Sequence, residues 1–372
     1  HIIEDLQAVK VPQDGRDVTL ALDLRIQYIA HRELMKAVEV NKAAAGAVIV
    51  LDAKSGEVLA MANVPTYNPN NPVNIKGKTR NRAIIDTFEP GSTLKPVTAA
   101  AALESGKYTP DTKIQTSPGS LSIGPATIHD SHPQGILTVA QVIQKSSNVG
   151  ASKIALTLDK QFMWNVYNEL GLGHLEGVGF PGEATGRVRP YKTWRPIEMA
   201  TMSFGHGISL TLLQLARLYT VFANEGELRP VSLIKLNEMP IGQQVFSAAT
   251  ANHVKDMLEL VVQPGGTAVK AQVLGYRVAG KTGTAHKLGA HGYEENKYVA
   301  SFVGMAPASN PRFIIAVMID EPNNGAYYGG TVAAPVFSTI MADTLRLFAV
   351  PQDAPYNNTV LESNDEDVKE GM

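Results

Sequence analysis

The chain has 372 residues, 44% of them hydrophobic and 18% charged, and its 33 Lys and Arg against 35 Asp and Glu give a formal net charge of −2. That length holds a large core with more than one substructure, and the balance of charge supplies no basic field for nucleic acid. The absence of cysteine excludes disulfides, thiolate metal sites and a thiol nucleophile, and says little about compartment.

No apolar run approaches the ~18 residues of a membrane span, and no signal peptide opens the chain. It begins at His1 rather than Met, so a processed or excised fragment is expected, with any targeting or anchoring segment lost. Residues 1–16 are polar, lack a clear period and read as a linker remnant. DVTLALD (17–23) reads as a short strand. LRIQYIAHRELMKAVEV (24–40) has helical spacing, with Leu24, Tyr28, Ile29, Leu34 and Val38 able to share one face. AAAGAVIVLDAKSGEVLAMANV (43–64) reads as two strands joined by a turn at Ala53-Lys54-Ser55-Gly56, and PTYNPNNP as an irregular loop.

Roughly 93–262 is dominated by helical patterns, among them LTVAQVIQKSSNVGASKIAL (137–156), LLQLARLYTVFAN (212–224) and ATANHVKDMLELVV (249–262). Strand patterns return in GYRVAGKTGTA (275–285), YVASFVGMAPA (298–308) and RFIIAVMID (312–320), followed by the apolar helix VAAPVFSTIMADTLRLFAV (332–350). The acidic end, 350–372, reads as disordered. No repeat of 20–50 residues is present. The order predicts an α+β fold: one antiparallel sheet built from both ends of the chain (roughly 17–92 and 263–349), with a mostly helical part (93–262) inserted beside it.

Three short motifs stand out. In FEPGSTLKP (88–96), Pro90-Gly91 forms a turn and Ser92 and Lys95 follow three apart, on one face of a starting helix. A neutral amine there can take the proton of the hydroxyl, and a helix N-terminus offers N–H groups where negative charge develops. Chance alone places about one or two S-x-x-K matches in a chain of this length. Ser232-Leu233-Ile234-Lys235 is one such match. It lies in an alternating, strand-like segment whose residues three apart face opposite ways, and is set aside. The second motif is Ser146-Ser147-Asn148, in a helical pattern, where capping or local hydrogen bonding is the ordinary alternative. The third is KTGT (281–284), in which Lys281 supplies a cation, Thr282 and Thr284 hydroxyls, and Gly283 room for a substrate backbone on an edge strand. Lys54-Ser55-Gly56 imitates it but reads as the hairpin turn.

S-x-x-K, S-x-N and K-T-G in this order, each in suitable local context, match the motif set of penicillin-binding proteins and class A β-lactamases. With PTYNPNNP, RNRAIIDTFEPGSTLKP, SFGHGISLTLLQLARLY and YYGGTVAAPVFS, the stretch from about 17 to 350 resembles a class B penicillin-binding protein. The likeness is greatest to the division-specific septal D,D-transpeptidase of Gram-negative bacteria. It implies a penicillin-binding transpeptidase fold over 17–349. It also implies a parent with a cytoplasmic tail, a membrane helix and a pedestal, this chain being the soluble domain from the periplasmic face of the inner membrane.

The resemblance further implies a role for each motif residue. Ser92 attacks the penultimate D-Ala carbonyl of a pentapeptide stem, and Lys95 is the base. Ser146 relays the proton to the leaving nitrogen, and Asn148 holds the substrate backbone. Lys281 helps keep Lys95 neutral through like-charge proximity. Thr282 and Thr284 hold the terminal carboxylate, and the N–H groups of Ser92 and Thr284 form the oxyanion hole. A neighbouring stem's amine then attacks the acyl-enzyme, and β-lactams acylate the same serine. Phe204, His206, Tyr327 and Tyr328 match aromatic walls, with ordinary packing as the alternative. Relatives often carry Tyr at His206, and Arg or Lys at His286. By resemblance the partners are the stem peptides, β-lactams, a membrane glycosyltransferase and other cell-division proteins. No metal motif or cofactor is expected. Competing readings are a D,D-carboxypeptidase, a serine β-lactamase, and, outside enzymes, a β-lactam sensor or idle divisome scaffold. Glu89 is expected to support the helix start, and Asp320 and Glu321 to be structural or solvated.

Overall fold

The computed structural model describes residues 13–73, 75–289 and 292–355. Five strands form one antiparallel sheet: β1 (Ala45–Asp52), β2 (Val58–Val64), β3 (Ala279–Gly289), β4 (Gly292–Ala306) and β5 (Phe313–Asp320), in the order β2-β1-β5-β4-β3. Strands from the two ends of the chain meet where β1 lies beside β5, with Val48 opposite Val317. Every residue of β1 and β5 is buried. That is why AGAVIVLD and FIIAVMID read as continuous apolar runs: helices cover both faces. Helices α1 (Leu24–Val40) and α7 (Ala334–Leu347) pack on each other and on the sheet, and α5 (Leu212–Leu218) lies over β1 and β5. This leaves β3, which bears KTGT, as an edge strand.

The helical part runs through α2 (Lys95–Glu104), α3 (Val139–Gln144), α4 (Asn148–Ala155), α5 and α6 (Ala248–Val262), and two further helices, Lys160–Glu169 and Pro196–Met202, lie between α4 and α5. Among the described residues it also contains three small antiparallel strand pairs the helical pattern did not announce: Lys113–Gln115 with Ile136–Thr138, Ser120–Ile123 with Ala126–His129, and Glu227–Leu228 with Gln243–Gln244. Strands this short offer too little alternation to be read from sequence.

Other expectations are corrected. DVTLALD is not a strand; Leu20 makes one isolated bridge with Ile234, and Asp23 instead caps α1, accepting from the Arg25 and Ile26 N–H groups at 2.9 and 3.4 Å. The buried face of α1 is Ile26, Ile29, Ala30, Leu34 and Ala37, while Leu24 and Tyr28 are exposed. The small Ala30 and Ala37 let the helix close onto the sheet, which apolar spacing alone did not weigh. The pattern over 137–156 is two helices, α3 and α4, broken at Ser146, whose φ is +59°. Residues 350–353 are held rather than disordered: the Val350 carbonyl accepts from Tyr276 Oη at 2.6 Å, and Asp353 from the Arg277 and Ser309 N–H groups at 2.7 and 3.1 Å. The rest of the expected tail, 356–372, and residues 1–12 of the linker lie outside the described residues.

Candidate active site

Ser92 sits in a 3₁₀ turn, Gly91–Leu94, that runs straight into α2. The turn is wedged between two backbones. A Cβ on Gly91 would lie 3.2 Å from the Thr284 carbonyl oxygen, and one on Gly205 would lie 2.2 Å from the Gly91 oxygen. Both residues have positive φ, +56° and +84°, so glycine serves conformation and close approach at once. Thr93 Oγ1 donates to the Pro90 carbonyl at 2.8 Å, and the buried Tyr219 hydroxyl donates to the Thr93 carbonyl at 2.8 Å. The nucleophile candidate therefore stands on a tightly held segment, with Ser92 3% exposed.

Lys95 Nζ lies 2.9 Å from Ser92 Oγ. It also reaches Ser146 Oγ at 3.1 Å and donates to the Ser146 carbonyl. Lys281 Nζ, arriving from β3, reaches the same Ser146 Oγ at 2.9 Å. Ser92, Lys95, Ser146 and Lys281 thus form one buried chain of hydrogen bonds from hydroxyl to amine to hydroxyl to amine. The break between α3 and α4 makes this possible: in the left-handed region, Ser146 turns both its carbonyl and its hydroxyl towards Lys95. A non-glycine residue held there is strained, which fits a functional turn.

Asp130 holds that turn, and no motif pointed to it. Its carboxylate accepts from Ser147 Oγ at 2.7 Å and from the Val149 N–H at 2.9 Å. Its neighbour His129 accepts from Asn148 Nδ2 at 3.2 Å through its carbonyl. Only the fold brings the 120–130 hairpin to α4, so sequence spacing gave no signal. Asp130→Ala is expected to slow β-lactam acylation about tenfold and to cost about 1–2 kcal/mol, since a half-buried carboxylate that accepts from both Ser147 and the Val149 N–H is lost. Stopped-flow acylation and thermal melting would measure both, and an unchanged acylation rate would remove Asp130 from the site.

The KTGT residues divide. Thr284 Oγ1 accepts from the Gly329 N–H at 3.1 Å. Thr282 Oγ1 lies 2.7 Å from Thr267 Oγ1 and 3.3 Å from Lys281 Nζ, fully buried. Gly283 serves a purpose other than the one expected. A Cβ there would meet Ser301 Oγ at 2.6 Å and the Pro90 oxygen at 2.7 Å, so it lets β3 close on the Ser92 turn from within.

The aromatic residues fall into two groups. Phe204 and His206 pack edge to face at 5.1 Å. Tyr327 stacks on Tyr298 at 4.3 Å, and its hydroxyl lies 3.2 Å from that of Tyr328. Tyr298, absent from the sequence reading, also packs against His286 at 4.7 Å. Tyr293 links the groups, 6.3 Å from both His206 and His286. Burial, with smaller contributions from Lys95 and His286, pushes the His206 imidazole down to about 4. Glu89 does not touch Ser92; its carboxylate accepts from the Gly207 N–H at 2.8 Å and from Tyr293 Oη at 2.9 Å. Burial raises its proton affinity, against the pull of those two donors. Asp320 and Glu321 pair with Lys287 at 2.8 and 2.7 Å.

Residues 46–342 match the penicillin-binding protein transpeptidase domain. The chain belongs to that family. The D,D-transpeptidase assignment is shared by curated relatives. A probable peptidoglycan D,D-transpeptidase PenA of Neisseria flavescens is 47% identical over 96% of this chain and 90% of its own length. The peptidoglycan D,D-transpeptidase FtsI of Escherichia coli K12 is 43% identical over 95% of this chain. The chain spans 60% of that relative, and 61% of PenA from Neisseria gonorrhoeae. Among solved structures, the apo transpeptidase domain of Burkholderia pseudomallei penicillin-binding protein 3 superposes with a TM-score of 0.84 at 49% identity, covering 92% of this chain and all of that one. The expected penicillin-binding transpeptidase fold, an antiparallel sheet with flanking helices, is the one observed.

Proposed function

We propose that this domain cross-links peptidoglycan by serine acyl transfer, with Ser92 as nucleophile. The observation that carries the reading is the 2.9 Å approach of Lys95 Nζ to Ser92 Oγ within a buried network shared with Ser146 and Lys281. A neutral amine has two N–H donors and one lone pair. The two Ser146 oxygens suit the donors, and the lone pair then faces the Ser92 hydroxyl. Two amines sharing one hydroxyl favour a state with a single charge between them. Lys95 takes the Ser92 proton as Oγ attacks the penultimate D-Ala carbonyl. Ser146 passes a proton to the departing D-Ala nitrogen, and an amine of a second stem then displaces Ser92 from the ester.

In this reading Asn148 holds the donor backbone, and Thr284 holds the terminal carboxylate, with Thr282 behind it. The oxyanion is met by the N–H groups of Ser92 and Thr284, a placement supported by the close packing of the Gly91 turn on Thr284. Phe204, His206, Tyr327 and Tyr328 wall the cleft. The likeness to FtsI supports action in septal wall synthesis at the periplasmic face of the inner membrane, beside a glycosyltransferase and other division proteins, with β-lactams as inhibitors. Among the described residues no helix is long and apolar enough to cross a membrane.

Hydrolytic readings need a carboxylate or equivalent base aimed at water beside the ester. Among the described residues, no carboxylate bonds Ser92 Oγ. Glu89 is occupied by Gly207 and Tyr293, and Asp130 by Ser147 and Val149. The acyl-enzyme is therefore expected to persist. With a chromogenic cephalosporin in large excess, the time course should show a burst of about one equivalent and then a nearly flat line. Sustained turnover of many equivalents per minute would replace this reading with a β-lactamase.

A further inference from the structure

The sequence holds one Asn-Gly pair, Asn324-Gly325. It lies between β5 and the segment that carries Tyr327 and Tyr328, and both residues are exposed. Two hydrogen bonds fasten this stretch to the end of α1. The Asn323 N–H donates to the Asn41 carbonyl at 2.8 Å, and Asn324 Nδ2 donates to the Val40 carbonyl at 2.9 Å. Val40 is the last residue of α1, so its carbonyl is one that the final turn leaves without an intrahelical partner. Asn324 is therefore a side-chain clasp on the C-terminus of that helix. Just beyond the clasp, Tyr327 stacks on Tyr298 at 4.3 Å and the Gly329 N–H reaches Thr284 Oγ1 at 3.1 Å.

The clasp residue is also open to reaction. The backbone nitrogen that follows an asparagine can attack its side-chain amide, and a following glycine presents no Cβ to hinder the approach. The surroundings add no obstacle, since a Cβ built on Gly325 would meet nothing within 4 Å. The Gly325 N–H donates to no group among the described residues, so its proton is available to water.

We infer that Asn324 is a site of spontaneous deamidation, and that the reaction undoes the clasp between α1 and the Tyr327-Tyr328 segment. The Gly325 nitrogen loses its proton and bonds to the Asn324 side-chain carbonyl carbon. The Cγ–Nδ2 bond breaks, and ammonia leaves carrying a proton in place of the one lost. Water then opens the five-membered imide at either carbonyl, giving aspartate or, with the chain rerouted through the side chain, isoaspartate. Both products put a carboxylate where the Nδ2 donor stood. An ionised carboxylate only accepts hydrogen bonds, so it cannot bond the Val40 carbonyl. Its charge is also repelled by the negative end of the α1 dipole. The segment is thus released at its α1 end, while Thr284 still holds Gly329.

The test has two parts, and neither depends on Ser92 being the nucleophile. In the first, folded protein is kept in mildly alkaline buffer at physiological temperature and its peptides are followed by mass spectrometry. Residue 324 is expected to deamidate ahead of every other asparagine, and Asn324→Gln should remove that signal. An Asn324 that stays intact while other asparagines react would overturn the site. In the second, Asn324→Asp stands in for the product. It should lower the melting temperature by about two degrees, the scale of one lost hydrogen bond in a large domain. Backbone hydrogen exchange over 323–329 should become about threefold faster, with exchange in β1 and β5 unchanged as the control for an intact fold. Native exchange over 323–329 in the Asn324→Asp variant would overturn the clasp. Faster exchange spread equally over β1 and β5 would overturn it too, because the change would then be global rather than local.

Discussion

Ser92→Ala is expected to abolish covalent labelling by a fluorescent penicillin while leaving the domain folded. The hydroxyl is the only part of the proposed machinery that forms a bond to substrate. Without it no residual base or oxyanion donor can produce an adduct, and removal of a nucleophile costs on the order of 10⁶-fold in comparable serine enzymes. The fold should tolerate the change. Ser92 Oγ has Lys95 as a hydrogen-bond partner, and that amine retains both Ser146 oxygens. The turn itself depends on Gly91, Gly205 and the Thr93 and Tyr219 hydrogen bonds, none of which uses the Ser92 hydroxyl. A change in stability of about 1 kcal/mol is the expected scale for one lost hydrogen bond. Intact-mass spectrometry decides the matter: an adduct on the folded variant would move the nucleophile to another residue.

Much of this was legible in the sequence because the signals were local or ordered. The helix over 24–40, the hairpin turn at 53–56 and the last three strands follow from period and turn chemistry, and the three motifs needed only their order. What escaped has a common cause. Asp130, Tyr219, Tyr293 and Tyr298 act through contacts between segments far apart in the chain, and no spacing rule announces them. Ser146 was misread in a more instructive way. The apolar period runs unbroken across 137–156, so the pattern predicts one helix. Yet the proposed chemistry calls for a residue out of register with any helix, to aim two oxygens at one amine, and Ser146 stands at φ +59° with both oxygens on Lys95. Gly283 shows the converse: its type was read correctly as a need for close approach, but the neighbour that approaches is the protein's own Ser92 turn.

Lys95→Met should reduce acylation by about 10²-fold to 10⁴-fold, the range of a lost general base. Methionine is chosen because Lys95 is fully buried, and truncation to alanine would add a cavity to the loss of the amine. Lys281→Met tests something different. If its charge keeps Lys95 deprotonated, removing it makes Lys95 easier to protonate, and only the neutral amine accepts the Ser92 proton. The acid limb of the acylation profile should then move to higher pH, and the maximum should also fall as Ser146 loses a partner at 2.9 Å. His206 does not confuse the measurement. Burial holds it at about 4, so it is already neutral above pH 5 and contributes no limb between pH 6 and 9. Acylation of Lys281→Met by benzylpenicillin across that range separates the alternatives. A displaced limb supports charge coupling through Ser146, whereas a lower plateau with an unmoved limb would mean that Lys281 only positions Ser146 and that Lys95 stays neutral for another reason.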